Sequence, residues 1–205
     1  MRKPAPAERP IHPLLAERWS PYAFTTDGVA AQDLRALFEA VRWAASSYNE
    51  QPWRYIVACR EEPAAFEKAL SCLVTFNQGW ARHAPVLALG LVWEGRAGGG
   101  SPNPAAGHDL GLASASLTVE ATHRGLAVHQ MSGIIPERVR KAYALPDEVR
   151  PLTALAIGYA AALGDTPEEL RDRQGRPRER RRLTEFVFGE RWGDPAGFLA
   201  AEPER

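Results

Sequence analysis

The sequence predicts an α+β fold, and three stretches carry that prediction. Ala84 to Val92 is a near-continuous apolar run of strand length, the composition of a strand buried on both faces of a sheet. Leu152 to Tyr159 repeats the pattern. Asp109 to Gly125 is the longest helical pattern, and its Gly111, Ala113, Ser114, Ala115 and Ala121 are small enough for another helix to approach closely. With 205 residues, 45% of them hydrophobic and 24% charged, the chain is long enough to bury the core of one domain.

The remaining elements follow in order. Residues 1–16 are rich in proline and alanine and are expected to form a loose arm before a domain over 17–193, with a frayed tail over 194–205. Thr26 or Asp27 is placed to cap a helix over Ala31–Ala45, where Leu34, Leu37, Phe38, Val41 and Ala45 recur at three- and four-residue spacing. A strand is expected through Tyr55–Ala58, then a helix from Pro63 to Leu73 with Phe66, Ala69, Leu70 and Leu73 on one face. Residues 97–104 form a Gly/Pro-rich loop, expected to be mobile near the site; it lacks the ending of a P-loop and the spacing of a dinucleotide fingerprint. Leu126 to Ile134 reads as a strand leading into a glycine turn, and Pro136 starts an amphipathic helix that reaches Tyr143. Glu168–Arg182 is very polar and ends in the most basic run of the chain, Arg176–Arg182. Leu183–Phe188 reads as an edge strand.

One loop stands out chemically. Between Ala45 and Arg54 lie Ser46, Ser47, Asn49 and Gln51, which donate or accept hydrogen bonds without carrying charge, flanked by Tyr48 and Trp53. Pro52 stiffens the exit and disfavours helix at Gln51. Uncharged hydrogen-bonders between aromatic rings suit a flat, polar heterocycle better than a metal or a phosphate, although the same residue types dominate ordinary turns.

Ser46-Ser47-Tyr48-Asn49-Glu50-Gln51-Pro52-Trp53 resembles the Pro-Ser-Ser-x-Asn-x-Gln-Pro-Trp signature of the FMN-dependent nitroreductase family. Further likenesses follow in the same sequence order over roughly residues 16–193: Arg18-Trp19-Ser20-Pro21-Tyr22, Asp109-x-Gly111-x-Ala113, and the closing Glu185-Phe186-Val187-Phe188 with Arg191-Trp192-Gly193. The resemblance implies a mainly antiparallel sheet flanked by helices, with the long helix at the interface of a homodimer. It implies FMN, its phosphate held by Arg18, Trp19, Ser20 and Tyr22 from the N-terminal side. Tyr22 stands where the family has a second basic residue. Arg178 and Arg180 would complete the phosphate site from the C-terminal side, with Arg181 open as a shifted register. Asn77, Met131, Ser132 and Gly133 would lie at the flavin ring, and Ser46, Ser47, Asn49 and Gln51 would reach the flavin of the other subunit. The implied activity is ping-pong transfer of hydride from NADH or NADPH through flavin N5 to a nitroaromatic, a quinone or an activated alkene. No side chain is required as a catalytic acid. A flavin carrier or sensor with little turnover, and an oxygen-dependent oxidase of the same fold, are the alternatives.

Other classes find less support. A formal net charge of zero, with 25 basic and 25 acidic residues, argues against nucleic acid as the main partner, the Arg176–Arg182 run notwithstanding. The five histidines never fall at metal-ligand spacing, and no Gly-x-Ser-x-Gly nucleophile motif occurs. His129, alone in an apolar strand, reads as structural. Cys59 and Cys72 read as buried thiols of a reducing compartment. With no membrane-length apolar run and no apolar segment after Arg2-Lys3, a cytoplasmic location is expected.

Overall fold

Four strands make one antiparallel sheet in the computed structural model, which describes residues 1–95 and 102–199. They are β1 (Trp53–Cys59), β2 (Val86–Trp93), β3 (Ala127–Met131) and β4 (Val149–Gly158), in the order β1-β2-β4-β3. The two apolar runs of the sequence are the two interior strands, as their composition predicts. Alternation along the strands divides the core in two. Val86, Ala88 and Val92 join Leu155, Ile157 and Val128 on one face. Leu87, Leu89 and Leu91 join Ala154, Ala156 and Met131 on the other.

The first face is covered by α5 (Ala106–His123) through Leu110, Ala113, Leu117 and Ala121, with α2 (Ala31–Arg42) packed beside it. The second is covered by α3 (Pro63–Ser71), α4 (Thr75–Ala81) and α6 (Pro136–Tyr143), which contribute Phe66, Leu70, Trp80 and Val139. Helix α5 ends at Gly125, whose φ of +73° lets Gly125 N donate to Thr122 O and Leu126 N donate to Ala121 O. Short α1 (Pro13–Glu17) and α7 (Glu168–Gly175) lie at the chain ends of the domain.

Several expectations are corrected. The helix expected through Leu73 stops at Ser71, because Leu73 pairs with Ile134 and Val74 N donates to Gly133 O; a second helix, α4, then starts. Neither Thr26 nor Asp27 caps α2: its N-cap is Ala30, and Asp27 is bonded to Thr25 instead. That helix also ends at Arg42 rather than Ala45. Leu183–Phe188 is no strand but a 3₁₀ turn over Leu183–Glu185, since its hydrogen bonds close locally from Glu185 N to Arg182 O and from Val187 N to Leu183 O. The ends are better tied than expected. Ala5 N donates to Ala16 O, while Phe188 pairs with Pro195 and buries Ala196. Within the expected loop 97–104, residues 97–101 lie outside the described ones, as do residues 200–205 of the tail. No described helix is long and apolar enough to cross a membrane.

Candidate functional site

Residues 18–25 run beside the end of β4: Phe24 pairs with Ala160, Thr25 N donates to Tyr159 O, and Ala161 N donates to Ala23 O. Trp19 and Pro21 are buried, which leaves Arg18 and Ser20 half-buried on the same stretch. The Arg18 Nη1 donates to Ser20 Oγ at 3.2 Å. Burial, then the nearby Arg178 and Arg180 guanidinium groups, push Arg18 below the ordinary arginine value. Arg178 is lowered the same way by burial and by Arg180. Among the described residues no carboxylate forms a salt bridge with any of these three. Three gathered cations, of which Arg18 and Arg178 are held below the ordinary arginine value, mark a place an anion would relieve. Arg178 is also a brace, since its Nη1 donates to Lys3 O at 2.7 Å and Ala16 O at 2.6 Å. A cleft of about 710 Å³ opens here between the N-terminal arm and the cluster, walled by Ala5, Leu15, Arg18, Arg178, Arg180 and Phe186.

Tyr22 belongs to an aromatic group rather than to this cluster. Its ring meets Trp80 edge-on at 5.3 Å and His129 at 4.7 Å. Arg173 of α7 lies over Tyr22 at 5.6 Å and over Phe76 at 4.4 Å, so a cation absent from position 22 returns above its ring. His129 Nδ1 bonds Pro21 O at 2.8 Å, and because a carbonyl only accepts, Nδ1 carries the proton. Burial lowers the His129 pKa, the Pro21 bond opposes that, and Arg18 adds to the lowering. The ring is therefore a neutral, structural strut.

At the end of β3 the chain turns through Met131, Ser132 and Gly133. Met131 is buried and its carbonyl accepts from Thr153 Oγ1, whereas Ser132 is exposed. Asn77 Nδ2 donates to Gly133 O at 3.0 Å, and Trp80 Nε1 donates to Asn77 Oδ1 at 3.2 Å. Among the described residues, one amide proton and one lone pair of Asn77 stay uncommitted. A Cβ at position 133 would strike both Asn77 and Val74, so this close approach requires glycine. Among the described residues the N–H groups of Ser132 and Gly133 have no backbone or side-chain acceptor. Asn77 and the 131–133 turn therefore form one polar edge.

The 46–51 loop makes no hydrogen bond to either group among the described residues. It is anchored by Asp109, 1% exposed at the start of α5, whose Oδ2 accepts from Ser47 N at 3.0 Å. Gln51 N donates to Ser46 Oγ at 3.2 Å, and Gln51 Nε2 donates to Asn49 O at 3.2 Å. Tyr48, Asn49 and Gln51 all adopt positive φ, at 51°, 55° and 46°. Tyr48 is 92% exposed and nearby Trp43 is 77% exposed. Within one chain, the loop's hydrogen bonds run only to Asp109, Arg54 and itself among the described residues.

Residues 15–159, more than half of the chain, match the nitroreductase family. The chain belongs to that family. A solved structure of an oxidoreductase containing FMN superposes on this nitroreductase-family chain with a TM-score of 0.85 and 29% identity, covering 92% of this chain and 96% of that one. A nitroreductase family protein from Clostridium difficile 630 shares the fold, with a TM-score of 0.66 and 24% identity over 87% and 96% of the two chains. An uncharacterized 15.4 kDa protein in ask 5'region of Mycolicibacterium smegmatis is 42% identical over 87 residues. That match spans 42% of this chain and 58% of the relative.

The structure of this family member thus collects Arg18, Ser20, Arg178 and Arg180 at one place and Asn77, Met131, Ser132 and Gly133 at another. Trp19 lies beneath the first group, with Lys3 Nζ 5.1 Å from its ring centre. Sequence reasoning missed Gln174. It is fully buried, accepts from Tyr22 N and Ala23 N, and donates to Ala161 O. Within a run of Glu, Asp and Arg residues, nothing in its surroundings sets this glutamine apart.

Proposed function

We propose that the chain is an FMN-dependent oxidoreductase that takes reducing equivalents from NADH or NADPH and delivers them to a small organic acceptor, as a homodimer. One observation carries the reading: Arg18, Arg178 and Arg180 are gathered without a carboxylate partner among the described residues, as an anchored phosphate requires. The FMN content of the structurally similar oxidoreductase supports it. So does the polar edge at 131–133, whose free N–H groups suit a flat heterocycle with acceptor atoms.

In this reading Arg18, Arg180 and Ser20 hold the phosphate, while Arg178 contributes charge and fixes the arm. Ser132 N–H, Gly133 N–H and Asn77 orient the ring. Donors fixed there stabilise negative charge gained on reduction without having to reorganise. Bound FMN would supply the two-electron redox chemistry, and the residues named here hold and orient it. The loop residues Ser46, Ser47, Asn49 and Gln51 serve the site of the other subunit. That assignment is supported by the loop's making no hydrogen bond to this chain's own two groups among the described residues. The dimer itself is supported by the outer face of α5, where Gly107, Gly111 and Ala115 are exposed at four-residue spacing beside exposed Leu112. Nitroaromatics, quinones and activated alkenes are the acceptor classes to assay.

The test is direct. Protein loaded with FMN and freed of excess by gel filtration retains the flavin, and NADH or NADPH bleaches its visible band without oxygen. Retained flavin that neither reductant bleaches would replace the enzyme with a carrier or sensor.

A further inference from the structure

Gln174 occupies a position where a hydrophobic residue would serve packing better. Leu170 and Gln174 are the buried residues of α7, and Gln174 is 0% exposed. A buried carboxamide is tolerated only when its hydrogen bonds are made, and these are made almost entirely to one segment. The Oε1 accepts from Tyr22 N at 2.9 Å and from Ala23 N at 3.2 Å. The Nε2 donates to Ala161 O at 3.1 Å and, at 3.5 Å, to Ala23 O. Two successive backbone N–H groups converging on one oxygen bend the chain locally into a concave nest, so the side chain dictates the shape of the segment that leaves Arg18. His129 pins the preceding carbonyl, that of Pro21.

The same residue joins the other half of the cation cluster. Gln174 O accepts from Lys3 Nζ at 2.7 Å, and Lys3 O in turn accepts from Arg178 Nη1. The 18–23 segment and the 174–180 segment therefore meet at Gln174. We infer that Gln174 is a positioning residue, whose side chain sets the separation and aim of Arg18 against Arg178 and Arg180 and so fixes their preference for a phosphate monoester. The inference rests on the FMN reading above.

The readout is the ratio of FMN affinity to riboflavin affinity, because the two ligands differ only in the phosphate. Gln174→Met keeps the volume and removes every side-chain hydrogen bond. It is expected to lower that ratio about tenfold, as loss of one well-aimed charge-assisted bond would. Riboflavin affinity is expected to stay within about twofold, since contacts to the ring are not involved. Combining it with Arg18→Ala is expected to lower the ratio no further than Arg18→Ala alone, because Gln174 acts through Arg18. In hydrogen exchange, the Tyr22 and Ala23 amides lose protection in the variant while those of β4 keep theirs. Should Gln174→Met not fold, Gln174→Asn is read the same way, being one methylene too short to reach both amides. A variant that loses FMN and riboflavin affinity equally would make Gln174 a core stitch and overturn the inference. Wild-type protein with no preference for FMN over riboflavin would overturn the cofactor reading beneath it.

Discussion

Arg18 is half-buried beside two other guanidinium groups, a placement that costs free energy unless an anion arrives. Arg18→Ala is therefore expected to weaken FMN binding by roughly 10- to 100-fold, the equivalent of about 1.5–3 kcal/mol for a charge-assisted bond, while riboflavin binding holds. Isothermal titration with both ligands measures it. His129 makes a second prediction at this scale. Burial depresses its folded pKa, so between that value and its unfolded value of about 6.5 the unfolded chain binds more protons. The stability contributed by the neutral ring is complete above about pH 6.5 and is lost as pH falls through the folded value. His83 is shifted in the same direction, by burial and by Arg82 and Arg60. Thermal melts from pH 8 to 5, conditions chosen to bracket the range of about 5–8 in which histidine titrates, should show this loss. His129→Gln, which can still donate to Pro21 O, should show a smaller one.

At the scale of elements, the 46–51 loop holds Tyr48, Asn49 and Gln51 at positive φ, which residues other than glycine and asparagine adopt at a cost of roughly 1–2 kcal/mol each. Asp109 is the tether that keeps it there. Asp109→Ala leaves Ser47 N–H without its carboxylate, and urea unfolding should show a loss of about 1.5–3 kcal/mol. Asp109→Asn keeps an acceptor and should lose less. Which elements were legible follows from the same physics. Strands β2 and β4 announce themselves because a strand buried on both faces has no freedom to be polar. Helix α5 announces itself through its length, its starting acid and Gly125. Leu183–Phe188 misled because its apolar residues fit a strand only where a full strand lies alongside, whereas its hydrogen bonds among the described residues close locally around Leu183–Glu185. The break after α3 was invisible because it depends on pairing with Ile134, 61 residues away by number. Gln174 and Arg173 were invisible for a related reason: their partners, Tyr22 and Ala23, lie far away in the sequence, and α7 itself has almost no apolar pattern.

For the whole molecule, the family was readable from one eight-residue loop and the order of weaker likenesses around it, and the antiparallel sheet agrees with it. The arginine cluster was readable only through the family resemblance, which assigns Arg18, Arg178 and Arg180 to one phosphate site, because its members come from opposite ends of the chain and no local spacing joins them. The dimer proposal has its own test. An added Cβ at Gly111 meets nothing within 4 Å in a single chain, so Gly111→Leu should leave the fold and its melting temperature nearly unchanged. It should nevertheless shift the protein toward monomer in sedimentation velocity and reduce retained flavin. The central claim, that the arginine cluster anchors the phosphate of a flavin, is tested most directly by one equilibrium titration. Wild-type protein, freed of endogenous cofactor, is titrated with FMN and with riboflavin and followed by the visible flavin spectrum. FMN binding at about one per chain, at least about tenfold tighter than riboflavin, is the predicted result, as expected for at least one charge-assisted phosphate bond. Equal affinity for the two, or no binding of either, would contradict it.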